Sequence, residues 1–250
     1  CIGLSSITIP DSITSIGNSA FGNCSGLTAI TVDSNNTTYD SRNNCNAIIE
    51  TATNTLIQGC NNSTIPNSVT NIGEWSFSNC SGMTSITIPD SVTSIGRYAF
   101  EYCAGLTSIN IPSGVTSIGN DAFQYCAVLT SINIPSGVTS IGNYTFNYCS
   151  SLTSVTIPNS VTSIGNSAFY GCRNLTSVTI PDSVTSIDRS AFGYCSGLKN
   201  VTIGSGVTRI DGYAFDSCNN LKDLSLNMAT VGEWFKGKTS ITSVTFGSNV

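Results

Sequence analysis

The chain has 250 residues, and only 9% of them are charged, against about 25% in an ordinary soluble domain. Its formal net charge is −5 and its 9 Lys and Arg form no cluster, so a nucleic-acid partner is not expected. Histidine is absent, which removes the commonest general base, and no apolar run approaches the roughly 20 residues that cross a bilayer.

One unit of 23 residues is repeated along the chain. Cysteines mark this period from Cys80 to Cys218, and Cys1 and Cys24 have the same spacing. A phenylalanine stands three residues before most of these cysteines, and all 7 prolines occupy one position, nine residues after the cysteine position. A fixed period of this length is typical of a solenoid in which each unit stacks on its neighbours.

Within a representative unit, three elements follow one another. Apolar and polar residues alternate over 85–88, which predicts a strand with one buried face. Pro89 ends that strand, and 92–95 predicts a second, shorter strand. The stretch around Ala99 and Phe100 is too short for a helix and predicts a helical turn. We therefore expect a β-rich solenoid whose parallel strands stack at one per 23-residue repeat.

Two segments depart from the period. Residues 33–65 hold ten extra residues, and their second part, 47–58, predicts a hairpin that we expect to protrude from one edge. Near the C-terminus the unit shortens, with Lys238 in the cysteine position, but Val244 and Phe246 restart the strand pattern. We interpret residues 1–250 as one solenoid taken from a longer array, with any signal peptide or anchor outside it.

The 11 cysteines have two interpretations. The periodic ones are expected to be buried thiols that act as small apolar side chains, because a position repeated once per turn calls for identical packing. Cys45 and Cys60 lie off the period and flank the predicted hairpin, so a disulfide between them stays open.

No catalytic, cofactor or metal site is expected. The recurrent carboxylates, Asp11, Asp90 and Asp182, follow the proline but lie several repeats apart, whereas a calcium ladder needs acidic ligands from neighbouring turns.

Aromatic residues at two repeat positions are the candidate partner-binding residues. Tyr102, Tyr125, Tyr148 and Tyr194 share the position before the cysteine. Trp75, Tyr98, Tyr144 and Tyr213 share the position two residues before the phenylalanine. Exposed Tyr and Trp supply much of the energy at interfaces, but rings lying flat over the turn could instead only cover the core. A ladder of exposed Ser, Thr and Asn on the first strands is a weaker candidate for binding, because it also serves solubility.

Written as L-x-x-I-x-I-P-x-x-V-x-x-I-G-x-x-A-F-x-x-C, the unit resembles the BspA-like class of leucine-rich repeats over nearly the whole chain. The resemblance implies a curved solenoid and, from characterised relatives, a surface protein that binds host extracellular-matrix or plasma proteins. It does not specify the exposed positions, where function resides.

These observations together predict a non-enzymatic protein-binding or adhesion module, monomeric, without cofactor, and extracellular or at the cell surface. A structural spacer with no ligand of its own is the alternative. An ice-binding solenoid is a third, which the Ser and Asn that interrupt the threonine ladder disfavour.

Overall fold

The computed structural model describes residues 2–228, 232–235 and 239–247, and these contain twenty strands and two 3₁₀ helices, Arg42–Asn44 and Glu233–Phe235. Lys238, in the cysteine position, and Cys1 lie outside the described residues. In chain order the strands are β1 (Ser6–Ile9), β2 (Ala29–Val32), β3 (Tyr39–Asp40), β4 (Ile48–Glu50), β5 (Thr55–Gln58), β6 (Asn71–Ile72), β7 (Ser85–Thr87), β8 (Ser94–Ile95), β9 (Ser108–Asn110), β10 (Ser117–Ile118), β11 (Ser131–Asn133), β12 (Ser140–Ile141), β13 (Ser154–Thr156), β14 (Ser163–Ile164), β15 (Ser177–Ile180), β16 (Ser186–Ile187), β17 (Asn200–Ile203), β18 (Arg209–Ile210), β19 (Asp223–Leu226) and β20 (Ser243–Phe246).

The first strands of successive repeats follow one another along the expected solenoid, and parallel pairing joins β1 to β2, β7 to β9, β11 to β13, and β15, β17, β19 and β20 in order. In β7 and β9, Ile86 lies opposite Ile109, exactly one repeat later, and the same register recurs in the other parallel pairs of the regular repeats. Side chains alternate as predicted: Ile109 is buried, whereas its neighbours Ser108 and Asn110 are exposed. The sequence period thus becomes an internal ladder of isoleucine and valine.

The second strands form another parallel ladder on a different side of each turn. β6, β8 and β10 pair in order, and β12, β14, β16 and β18 continue the same arrangement. Each contributes one isoleucine to the interior, such as Ile95 and Ile164, which are 2% and 0% exposed. The core is therefore enclosed between two ladders of unequal strand length.

The predicted helical turn is a pair of consecutive hydrogen-bonded turns. Ser78 N donates to Trp75 O (3.0 Å), and Cys80 N donates to Phe77 O (3.1 Å). The amides of Trp75 and Phe77 donate instead to the next repeat, Phe77 N to Ala99 O at 2.8 Å. The same pattern recurs in the later regular repeats, so this segment adds a third ladder of backbone hydrogen bonds between repeats.

The insertion forms a hairpin, but it does not protrude. β4 pairs antiparallel with both β3 and β5, and β5 pairs parallel with β6. The hairpin is therefore built into the second ladder, and Ile48, Ile49 and Leu56 are fully buried. The prediction that the hairpin protrudes was wrong, because β5 pairs with the edge of β6 and the apolar side chains of the hairpin are buried there.

The insertion also divides the core. A small cluster around Ile9, Leu27 and Ile30 serves the first two repeats, and a large one runs from Cys45 to Met228. In the large cluster, a column of phenylalanine rings begins at Phe77, and successive rings stack with centroids 5.2–5.6 Å apart. Gly59 packs on the Phe77 ring, where an added Cβ would lie 2.1 Å from a ring carbon.

Candidate functional site

The periodic cysteines have a structural role. From Cys103 to Cys218, each periodic thiol donates to the carbonyl of the phenylalanine 26 residues earlier; for example, Cys149 Sγ lies 3.2 Å from Phe123 O. Cys149 is fully buried, and burial raises the pKa of its thiol to about 12. The position therefore supplies a neutral, inaccessible thiol. Besides filling space, it donates a second hydrogen bond to a backbone carbonyl, because Phe123 O also accepts from Cys126 N; the sequence did not indicate this bond.

Cys45 and Cys60 are both free thiols in the structure. Cys45 Sγ donates to Ala47 O (3.7 Å) and belongs to the large core cluster. Cys60 Sγ donates to Asn46 O (3.4 Å) and belongs to the small one. The structure thus gives each sulfur its own acceptor and does not pair the two.

Tyrosines form a continuous row along the turn segments. The rings of Tyr102 and Tyr125 stack with centroids 4.4 Å apart, and those of Tyr125 and Tyr148 with centroids 5.1 Å apart. Their planes differ by only 7° and 4°. Tyr102 and Tyr194, at the two ends of the row, are 42% and 48% exposed. These predicted candidates are brought together on the surface.

Tyr170 joins the row, although it is not among the candidate residues predicted from the sequence. Its ring meets Tyr148 edge-on, with centroids 5.4 Å apart, and Tyr194 at 5.1 Å. Gly171 takes the position that tyrosine holds in neighbouring repeats, and an added Cβ there would lie 2.8 Å from the Tyr148 ring. Gly193 makes room on the other side, because its added Cβ would lie 2.9 Å from Tyr170. We call the five residues Tyr102, Tyr125, Tyr148, Tyr170 and Tyr194 the tyrosine row.

The backbone under the tyrosine row is left-handed. Tyr102, Tyr125, Tyr148 and Tyr194 have φ of +55° to +59°, and Gly171 has φ +73° at the same position. A left-handed conformation costs an L-residue about 1–2 kcal/mol, which glycine avoids. Tyrosine therefore occupies a position where glycine would be less strained.

The second aromatic set does not form a row. Trp75 and Tyr98 stack with centroids 3.8 Å apart, and Arg97 lies over the Tyr98 ring and donates to its hydroxyl (2.7 Å). Tyr144 is exposed and has no aromatic partner among the described residues. Tyr213 is 58% exposed and contacts Arg189. Asp121, Ser167 and Ser190 interrupt this set at the intervening repeats.

Two carboxyl groups are buried in the turn segments, Glu101 next to Tyr102 of the tyrosine row and Asp121 next to Arg97. Glu101 is 8% exposed and accepts a hydrogen bond from Ser78 Oγ (3.3 Å), and Asp121 is 5% exposed, with Arg97 Nε 3.6 Å away. Burial raises the pKa of both carboxyl groups, and the charge of Asp121 raises that of Glu101 further. Ionisation here opposes folding.

Replacing Glu101 with glutamine is expected to raise the melting temperature at about pH 7. The pKa of Glu101 is higher in the folded protein than in the unfolded chain, so protonation of Glu101 stabilises the fold. This stabilisation is complete below the ordinary carboxyl pKa, and it is lost as the pH rises through the raised pKa. The difference from the wild type should shrink near pH 4, as thermal melts over pH would show. Asp90→Asn, at an exposed carboxylate, is the control. A lower melting temperature for Glu101→Gln at neutral pH would contradict the burial argument.

The exposed face of the first strands carries polar groups of two kinds. Threonines before the strands are satisfied internally, as where Thr107 Oγ1 donates to Thr84 O (3.2 Å). Asn110, Asn133 and Thr156 line an open groove of about 560 Å³, and no side-chain hydrogen bond is present for them within the described part of the chain. This face can therefore accept a hydrogen-bonding partner; Asp90 is the charged residue that lines the groove, and no aromatic residue is among those that line it.

Neither a metal cluster nor a membrane-spanning helix is found in the described ranges. No group of three or more Cys, Asp or Glu side chains there could hold an ion, and no helix is long and apolar enough to cross a membrane.

The chain matches one family model throughout. Residues 1–58, 56–151 and 139–250 match the BspA type leucine rich repeat region, which is found in six copies. No curated protein sequence matches the chain significantly.

Solved structures of bacterial leucine-rich repeat proteins are similar to this chain. One from Bacteroides ovatus is 26% identical with a TM-score of 0.65, over 98% of this chain and 70% of the other. One from Eubacterium ventriosum is 27% identical with a TM-score of 0.74, over 94% of this chain and 62% of the other. A leucine rich cell surface protein from Faecalibacterium prausnitzii is 27% identical with a TM-score of 0.50, over 98% and 79%.

Proposed function

The chain belongs to the BspA-type leucine-rich repeat family, and from that premise we propose that it is a non-enzymatic protein-binding module of a secreted or cell-surface protein. Leucine-rich repeat folds generally mediate protein interactions. The similar Faecalibacterium protein is described as a cell surface protein, which supports the location. The partner that we propose is a host extracellular-matrix or plasma protein.

The tyrosine row is the observation that carries this proposal. Its members hold exposed aromatic edges and hydroxyl groups in a fixed line, and side chains stacked on both sides lose little further entropy on binding. Tyrosine is among the residues that dominate interface energy. Because only 9% of its residues are charged, the chain has few other side chains that could contribute strongly to binding a partner.

The backbone supports the same assignment. Four members of the row are held at a left-handed position where glycine is easier to accommodate. In the remaining repeat, Gly171 holds this position, and the ring of the preceding residue, Tyr170, lies in the space where the tyrosine ring would be. The row is thus continuous across a repeat in which the periodic pattern fails, as expected of a surface that serves a partner.

Replacing Tyr125 and Tyr148 together with serine should weaken capture of a host protein by at least about 30-fold, the loss expected if only one of the two is a central contact worth about 2 kcal/mol. The measurement is a titration of the immobilised chain against fractionated plasma and a panel of matrix proteins, with melting temperatures recorded alongside.

The matched control is Tyr144→Ser with Tyr213→Ser, which removes two exposed tyrosines outside the row. Capture should be retained by this control. Equal binding by the row variant and the wild type would remove the tyrosine row from the proposal. Absence of saturable binding by the wild type would favour the structural spacer instead.

A further inference from the structure

The three parallel members of the tyrosine row place oxidisable phenols at short, fixed distances. Tyr125 lies between Tyr102 and Tyr148, with ring centroids 4.4 and 5.1 Å away. Tyr102 is 42% exposed, and Tyr125 and Tyr148 are partly exposed. Two phenols held this close resemble reactants already brought together, because the entropy of encounter has been lost on folding.

We propose that the tyrosine row is a site of oxidative cross-linking, at which a haem peroxidase using hydrogen peroxide couples Tyr125 to Tyr102 or Tyr148 as dityrosine. This modification is independent of the proposed binding function. It would join adjacent repeats covalently.

The chemistry balances with one hydrogen peroxide per cross-link. Each of two phenols gives one electron to the peroxidase and one proton to water, leaving two phenoxyl radicals. A carbon–carbon bond forms between ring carbons ortho to the oxygens. Each of these carbons then loses its proton, the phenoxyl oxygens regain one each, and both rings become aromatic again. The peroxide accepts the two electrons and two protons and becomes two waters.

Thiols, thioethers and the isolated Tyr144 compete poorly for this coupling. The cysteine next to each of these tyrosines in the chain is fully buried, and its thiol is bound to a phenylalanine carbonyl. Met83 and Met228 are 2% and 0% exposed. Tyr144 is exposed, but it has no tyrosine ring beside it among the described residues, so it can couple only between molecules. The tyrosine row is therefore where coupling within one chain is favoured.

The experiment oxidises dilute protein with a haem peroxidase and hydrogen peroxide, isolates the monomer and maps it by mass spectrometry. Cleavage before Asp121 separates Tyr102 from Tyr125, so their coupling leaves two peptides joined with the loss of two hydrogen atoms. We expect dityrosine fluorescence in the monomer, at a yield per chain that does not change with protein concentration. It should come with this joined peptide or with a two-hydrogen loss in the 121–181 peptide that fragmentation assigns to Tyr125 and Tyr148, since this peptide also contains Tyr144 and Tyr170.

Two variants test whether the tyrosine row is the source of dityrosine in the monomer. Tyr125→Phe keeps the stacked ring but removes the phenol, and the joined peptide should be lost. Tyr144→Phe should leave the yield unchanged. The proposal is overturned if dityrosine forms only in oligomers with a yield that rises with protein concentration, or if Tyr144→Phe lowers the monomer yield as much as Tyr125→Phe does.

Discussion

Phe146→Ala is expected to lower the free energy of unfolding by about 3–5 kcal/mol, the largest single effect that we predict. The Phe146 ring is 1% exposed and stacks on Phe123 and Phe169, with centroids 5.6 and 5.3 Å away. Removing it creates a cavity in the middle of the column and interrupts the contact between two repeats. In a solenoid each repeat contacts only its neighbours, so a break at the centre cannot be bypassed.

Urea unfolding followed by circular dichroism measures this change, and the transition should become broader as the two halves uncouple. Tyr144→Ser, in the same repeat but exposed, should stay within about 0.5 kcal/mol of the wild type. A Phe146→Ala variant as stable as this control would show that the phenylalanine column does not hold the repeats together.

Gly59→Ala is expected to destabilise the chain by about 1–3 kcal/mol, because the added methyl group overpacks the first ring of the column. Its Cβ would lie 2.1 Å from a carbon of Phe77, whose side chain is fully buried. Gly59 N also donates to Ser76 O at 2.7 Å, which fixes the backbone close to the ring. The strain falls where the insertion meets the regular repeats.

Thermal and urea unfolding test this prediction against Gly17→Ala. No atom lies within 4 Å of the Cβ that Gly17 would gain, so this control should change stability little. A loss confined to the first two repeats would appear as faster amide exchange in β1 and β2. Equal stability of the two alanine variants would mean that the loop at Gly59 moves away from Phe77 without cost.

The sequence was sufficient for the regular repeats, because their order depends on local patterns that recur. Alternation over 85–88 predicted β7, and the fixed spacing predicted its parallel partner β9. The insertion was harder, since the hairpin could be predicted from 47–58 but its place in the second ladder depends on the free edge of β6. Its position is a property of the assembled fold and not of the segment.

In the candidate site, too, some features were predictable from the sequence and others depend on the assembled fold. Tyr102, Tyr125 and Tyr148 were predictable from their shared position and a spacing of one repeat. Tyr170 was missed because it lies one residue out of register, although the neighbouring Gly171 was a signal that another residue could fill that space. The left-handed backbone and the thiol-to-carbonyl bonds were not predictable, because both depend on how one repeat meets the next.

Side-chain footprinting of the chain bound to its captured host protein tests the central claim most directly. The proposal predicts that tyrosines of the row, above all Tyr125 and Tyr148, become protected on binding, while Tyr144 and Tyr213 remain as reactive as in the free chain. Protection confined to the groove at Asn110, Asn133 and Thr156, with the tyrosine row still reactive, would contradict it and assign binding to the strand face.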